Sequence, residues 1–248
     1  MEKVKSFGND FWIHTKDTIV SVQIKNNGGY EIKENAVMHS ILMQGDVCVD
    51  FGANIGVHTC EMARAVGKTG KVYAIEPETE NCKVLAANVA MLPYQNVKII
   101  KCAVSDTNKP GTLYTNPLNK GAHCLSKRCP EMTLQNVEIR KSSEVIPQNT
   151  SIKLLKLDIE GYEFKALKGL GKQIDNIEFM IMEFFPSLIV LAKDDPVEML
   201  QFIRNSGFTI SLIHDMQPKT NDWLMEKNVV GTERHVSILC KRIKANDH

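Results

Sequence analysis

The sequence lacks any apolar run of bilayer length, and Met1 to Gly8 lack the apolar core of a secretion signal. A cytoplasmic protein without a membrane span is the expectation. Charge of one sign is also scarce in excess: 30 Lys and Arg stand against 29 Asp and Glu, a formal net charge of +1. Proteins that bind duplexes carry a clear basic surplus, so a nucleic-acid partner is disfavoured, which leaves room only for a local basic patch. A disulfide framework is absent as well. The cysteines number seven, an odd count, and several fall in apolar segments as buried free thiols do. Cys124 and Cys129, beside His123, form one cluster. Their C-x4-C spacing has no second Cys/His pair nearby, so a loop with two reduced thiols is preferred to a zinc site. Internal repeats and low-complexity tracts are missing too.

What remains is an ordinary globular balance, 43% hydrophobic and 24% charged over 248 residues, suited to one sizeable domain with a modest extension. Residues 1–44 read as that extension. Phe11–His14 and Ile19–Val22 look like short strands, Asn26–Gly29 is a turn, and a short helix runs from about Glu34 to Met43. From residue 45 to 248 strands and helices alternate. Strands are expected at Val47–Phe51, Lys71–Glu76, Val97–Cys102, Ile152–Asp158 and Glu178–Glu183. Helices are expected at Val57–Val66, from Pro77 in a first turn to about Met91, at Tyr162–Leu170 and at Pro196–Ser206. Phe208–Ile213 and His235–Cys240 supply two final strands. Residues 104–150 are too long for a plain crossover and read as an insertion with a small hairpin, with strand-like pieces at Gly111–Thr115 and Val137–Arg140. Alternating β and α units with buried apolar strands imply an α/β fold, a parallel sheet with helices on both faces and the strand-end loops on one edge.

Four of those strand ends carry acids: Asp50, Glu76, Asp158 and Glu183. Four in succession on one edge mark a site, where a single one would mean little. Between the first strand and its helix lies Gly52-Ala53-Asn54-Ile55-Gly56. Gly52 permits a sharp turn close to a ligand, and Gly56 lets the helix start close by. The G-x-x-x-G spacing is not the G-x-G-x-x-G of a dinucleotide site. Gly67-Lys68-Thr69 is not a P-loop, since Met62 stands where its glycine belongs. Glu76 can accept hydrogen bonds from both hydroxyls of a ribose. Adenosylmethionine has a ribose, a positive sulfonium and amino group, and no phosphate, so an acid-lined pocket suits it. Asp50 can also hold the glycine turn, and Glu76 can also serve as an acid at a helix N-terminus.

The run Val49–Thr59, then Ala74-Ile75-Glu76-Pro77, then Lys156–Glu163 with Leu167-Lys168-Gly169, resembles the FkbM family of methyltransferases. Met182-Glu183-Phe184 is similar to its next strand end. The resemblance covers about Gly45 to Phe185. D-x-G-A-N-x-G combined with K-x-D-x-E-G-x-E is far more specific than either alone. It implies a Rossmann-like class I methyltransferase fold of seven strands, mostly parallel, with the last antiparallel. It also implies S-adenosyl-L-methionine as donor and O-methylation of a hydroxyl on a sugar, glycolipid or secondary metabolite. Carried over by position, Asp50, Gly52, Ala53, Asn54 and Gly56 would surround the methionine part. His58 and Thr59 would meet its carboxylate, Glu76 with Pro77 would lie at the ribose, and Cys102, Ala103 and Val104 would flank the adenine. Asp106 is the nearest acid for the adenine amine, with Ser105 as its substitute.

At the fourth strand end, Asp158 and Glu160 would point the same way if the backbone stayed extended. An alcohol acceptor must lose a proton, which a carboxylate can take. Asp158 and Glu160 are the first candidates as catalytic base, with Glu183 behind them and His123 and His214 outside. Asp158 is equally a ligand for the donor's amino group. Glu160 could instead cap the following helix, and Glu163 reads as a solvated first-turn acid. Asp158, Glu160 and Glu183 could together hold a divalent cation, but oxygen ligands alone do not specify a metal, and no metal is assigned. Acceptor selection falls to residues 104–150 and 214–232, with Lys120, Lys127, Arg128, Lys219, Lys227 and Trp223. The partner expected is a small-molecule or glycan acceptor. Two other readings compete: an RNA or other nucleic-acid methyltransferase, and a catalytically inactive cofactor-binding partner protein. The intact Asp158–Gly161 corner speaks against the second.

Overall fold

A computed structural model describes residues 1–213 and 235–243. The chain opens with a hairpin, β1 (Glu2–Ser6) and β2 (Asn9–Ile13), then α1 (Val20–Asn27) and α2 (Ile32–Ile41). Next come β3 (Val47–Phe51), α3 (Val57–Val66), β4 (Lys71–Ile75), α4 (Thr79–Val89) and β5 (Val97–Ile100). The insertion holds β6 (Ala103–Ser105), β7 (Lys109–Thr115), β8 (Thr133–Lys141) and the short α5 (Ser142–Val145). The chain returns through β9 (Ile152–Leu157), α6 (Glu163–Leu170), a 3-10 turn at Gly171–Asn176 and β10 (Ile177–Phe184). It ends with α7 (Pro186–Leu191), α8 (Pro196–Asn205), β11 (Phe208–Leu212) and β12 (Val236–Arg242).

Seven strands form one sheet in the order β11-β12-β10-β9-β3-β4-β5. All pairings are parallel except those of β12, which runs antiparallel to β10 and β11. This is the class I methyltransferase sheet that the sequence led us to expect. Alternation along the strands divides two cores. Val49, Phe51, Leu155 and Leu157 face a core shared with Leu167 and Leu170 of α6 and Met199, Leu200 and Ile203 of α8. Cys48 and Leu154 face the other, with Met38 of α2 and Met62, Ala63 and Val66 of α3. Towards the carboxyl ends that second face turns polar, because its next members are Asp50 and Lys156, which lie side by side in the β3–β9 register. The chain builds β3, β4 and β5 outward, then crosses back to place β9 on the other side of β3. Such a reversal leaves a crevice beyond the strand ends.

Several local expectations change. Ile19–Val22 is not a strand: α1 begins at Val20 and buries Val20, Ser21 and Ile24. Asp17 sits before it, and its carboxylate accepts the Ser21 N–H at 2.5 Å, an anion placed at the helix N-terminus. Pro77 lies before the helix, not in its first turn, because Glu78 is the cap and its side chain accepts the Asn81 N–H at 2.6 Å. The insertion is a three-stranded sheet, β6-β8-β7, since β6 pairs in parallel with β8 beyond the expected hairpin. The extension shares a core with the domain: Phe11, Ile13, Val20 and Ile24 pack with Ile55, Val57, Cys60 and Val84. No helix among the described residues is long and apolar enough to cross a membrane.

Candidate active site

The crevice holds a cavity of about 430 Å³, bounded by the ends of β3, β4, β9 and β10, by the insertion and by α1–α2. That volume is in the range of ligand pockets. At its floor the backbone of β3 turns at Gly52 with φ 84°, and a Cβ there would meet the Asp158 carbonyl oxygen at 1.9 Å. Gly52 is therefore dictated by the neighbouring strand end as well as by the turn. Gly56 (φ 90°) starts α3 against α4, where a Cβ would meet Leu85 at 2.5 Å. Gly56 and Thr59 stay off the cavity wall, while Asp50, Gly52, Ala53, Asn54 and His58 form part of it. Thr59 acts from behind: its hydroxyl donates to Asp50 Oδ2 at 2.5 Å.

That bond leaves Asp50 Oδ1 buried without a hydrogen-bond partner among the described residues, and Asn54 Oδ1 likewise. Burial raises the Asp50 carboxyl above its ordinary range, against the pull of Lys156 and Thr59. Glu76 follows β4 and is 4% exposed. Its two oxygens accept the Asn54 and Glu78 N–H groups, both at 2.8 Å. Burial still pushes it up to about 7, outweighing those donors. A ligand donating hydrogen bonds to Glu76 would favour its ionised form. Asp50 and Asn54 thus each offer a buried acceptor without a donor among the described residues, and Glu76 has carboxylate lone pairs beyond its two N–H bonds, which fits a ligand rich in hydroxyl and ammonium groups. Beside them Ile75, Pro77, Ala103, Val104 and Leu113 supply a mainly apolar wall. Ser105 and Asp106 do not take the place expected of them at the adenine: neither lines the cavity, and they bond to each other at 3.0 Å.

The other end is crowded with acids. Asp158, Glu160 and Glu183 all line it. The extended backbone expected through residues 158–160 is not found, since β9 ends at Leu157 and Glu160 adopts φ 57°. Its carboxylate is instead ion-paired with Arg128 of the insertion. Burial nevertheless raises Glu160 to about 8. Glu163 is not a solvated acid. It is 2% exposed and accepts the Ile159 and Gly161 N–H groups at 3.1 and 3.2 Å, which ties down the turn before α6; Glu160 does not cap that helix, whose N-terminus has no side-chain cap. Burial, then the charges of Asp158, Glu160 and Glu31, push Glu183 strongly upward. His235 Nε2 lies 3.2 Å from it.

Three contributors had no assigned role in the sequence reading. Lys156 is 4% exposed, and its ammonium meets Asp158 at 2.9 Å and Glu31 at 3.8 Å. Burial would lower its pKa, but Asp158, Glu31 and Asp50 together raise it, so it stays charged. Glu31 also bonds His58 Nε2 at 2.7 Å, and Tyr30 beside it lines the same wall. The lysine could have been suspected from its place two residues before Asp158 in the motif. Glu31 and Tyr30 carried no local signal. His123 lines the cavity with Nδ1 accepting the Asn116 N–H, and burial lowers it to about 4. Among the described residues no His, Cys, Asp or Glu group is arranged to hold a metal. Cys124 donates to the Ser126 carbonyl. His214, Lys219, Trp223 and Lys227 lie outside the described residues.

With this geometry in place the comparisons are decisive. The Methyltransferase FkbM domain matches residues 50–210. The chain belongs to the FkbM methyltransferase family. The hexuronic acid methyltransferase AglP of Haloferax volcanii is 28% identical over 144 residues, 56% of this chain and 56% of that one. Methyltransferase sdnD of Sordaria araneosa is 28% identical over 157 residues, 50% of this chain and 60% of that one. The chain thus matches little more than half the length of either relative. A precorrin-6y C5,15-methyltransferase from Geobacter metallireducens shares the fold, with TM-score 0.50 and 12% identity over 94% of each chain. The FkbM match takes in Asp50 through Glu183 but leaves out Tyr30, Glu31 and His235.

Proposed function

We propose that this FkbM methyltransferase uses S-adenosyl-L-methionine to methylate a hydroxyl of a sugar or secondary metabolite. The observation that carries the reading is one cavity in which the unpartnered acceptors of Asp50 and Asn54, beside Glu76, continue into the carboxylates Asp158, Glu160 and Glu183. The relative named for hexuronic acid methylation supports a sugar hydroxyl as acceptor.

Bound adenosylmethionine would supply a methyl group already activated on a positive sulfur. Everything else falls to the chain. Glu76 would hold the ribose hydroxyls through the lone pairs its two N–H bonds leave over. Asp50 and Asn54 would accept from the amino group. Ala103, Val104 and Leu113 would bound the adenine. Lys156, 2.9 Å from Asp158, fixes that carboxylate at the strand end. Among the described residues Glu183 pairs with His235 at 3.2 Å, and burial among acids favours its protonated form, so the neighbouring ring is what supports its ionised form. We assign the ionised form of Glu183 as the acceptor of the hydroxyl proton, which then passes through the His235 ring to solvent, and Asp158 as the group that orients the hydroxyl. Positioning then supplies much of the rate.

The test is transfer of labelled methyl from adenosylmethionine into fractionated glycan and metabolite pools, with the product identified by mass spectrometry. A methyl ether supports the reading. Label confined to nitrogen, carbon or RNA overturns it.

A further inference from the structure

The cavity draws part of its wall from a segment that precedes the matched domain. Glu31 sits between α1 and α2 with φ 47°, a left-handed conformation that a glutamate adopts only when its surroundings require it. What fixes it is its side chain. One oxygen, Oε2, takes the His58 Nε2 contact at 2.7 Å and lies 3.8 Å from the Lys156 ammonium. His58 stands two residues after Gly56, at the start of α3 beside the glycine loop. Lys156 stands on β9 and bonds Asp158. A single carboxylate therefore clasps the start of α3 to the neighbouring strand end of β9.

Its charge matters as much as its reach. Among the described residues Lys156 is the one ammonium at ion-pairing distance from Glu31 and Asp158, so its single positive charge meets two carboxylates there even before Asp50 is added. Burial opposes ionisation of Glu31, but Lys156 and His58 outweigh it and keep the carboxyl low. We propose that Glu31 is a positioning residue of the donor site: it ties His58 to Lys156 and supplies negative charge that favours a cationic ligand over a neutral one. This rests on the reading of the cavity as an adenosylmethionine site. The ligand pair that isolates the charge is adenosylmethionine, with its sulfonium, and adenosylhomocysteine, with a neutral thioether in its place.

The experiment is calorimetric titration of both ligands into the wild type, Glu31→Gln and Glu31→Asp, each checked by a thermal melt. Removing one negative charge close to the site should weaken adenosylmethionine about tenfold and adenosylhomocysteine only about twofold in Glu31→Gln. Glu31→Asp keeps the charge and should keep the ratio of the two affinities near the wild-type value. A purely structural Glu31 would lower both affinities equally. An unchanged ratio in Glu31→Gln, or a ratio in Glu31→Asp that shifts as far as it does in Glu31→Gln, overturns the proposal. Nitrogen-15 NMR of the wild-type histidines provides a second readout that needs no variant to fold. The His58 ring should carry a hydrogen-bonded proton on Nε2 shifted downfield by the carboxylate, and a solvent-exchanged imidazole pattern refutes the clasp. A wild type that binds neither ligand sinks the reading of the cavity, while the NMR signal still reports on the clasp.

Discussion

At the Glu76 end of the cavity, the wall is fixed through backbone groups of adjacent parallel strands. Gly52 and Ala53 N–H both bond the Ile75 carbonyl at 3.0 Å, and Glu76 takes the Asn54 and Glu78 N–H groups. At the Asp158 end the wall is fixed by side-chain ion pairs that reach across the chain. Arg128 and Glu160 are 32 residues apart, and Glu31 and His58 are 27 apart. The first end is a rigid cradle whose chemistry depends on backbone shape. The second is a set of exchangeable charges on elements that differ in origin: the extension, the insertion and β12.

The comparison makes Gly52→Ala the most damaging single change. The added Cβ meets the Asp158 carbonyl at 1.9 Å, and the φ of 84° strains any L side chain. We expect a loss of at least about 3 kcal/mol in urea unfolding, with donor binding abolished. An alanine variant of wild-type stability would show that the cradle is softer than described. Glu76→Ala comes next. It removes the acceptors proposed for the ribose and also strands two N–H groups, so adenosylmethionine affinity should fall about 100-fold by calorimetry, with the fold retained. An affinity within a factor of two of wild type would take Glu76 out of the ribose role.

The same division explains what could be read from the sequence. The helix at Val57–Val66 and the strands on either side of it follow from hydrophobic spacing and a glycine turn, which are local properties. The acids at the ends of β3, β4, β9 and β10 follow from the fold class, because parallel strands put those ends on one edge. Ile19–Val22 misled, since four residues of mixed apolar and small type fit either period. The deciding feature was Asp17 at the start of α1. Glu160 misled for a different reason: its direction depends on a left-handed backbone and on an arginine from the insertion, neither visible in residues 158–163. Glu31 had no motif to announce it, because its meaning comes entirely from the two residues it touches in space.

Glu183→Gln probes the charged end. The amide keeps the shape but cannot take a proton, so kcat for hydroxyl methylation should fall about 100-fold, a usual worth for a general base. Adenosylmethionine affinity should stay within a few-fold. If donor affinity falls as much as kcat does, Glu183 belongs to the cradle and the two ends are not separable.

The smallest effect should come from Glu163, and it asks whether an acid at this end is there for charge or for shape. Burial raises its carboxyl to about 7, although it accepts two backbone N–H bonds. An acid whose folded pKa lies above its unfolded value near 4.5 binds more protons in the folded state. Its ionisation therefore costs stability as pH rises from about 4.5 through about 7, and the cost is fully relieved below that window. Glu163→Gln keeps an oxygen for the Ile159 and Gly161 N–H groups and removes the charge. The amide oxygen is the weaker acceptor, which offsets most of the gain, so the variant should be more stable than wild type by about 1 kcal/mol at pH 8. At pH 4.5 the difference should shrink or reverse. Unfolding curves at the two pH values decide it. A variant less stable at pH 8 would mean that the turn's bonds need the full carboxylate charge, and that Glu163 is placed for electrostatics as its neighbours Asp158 and Glu160 are.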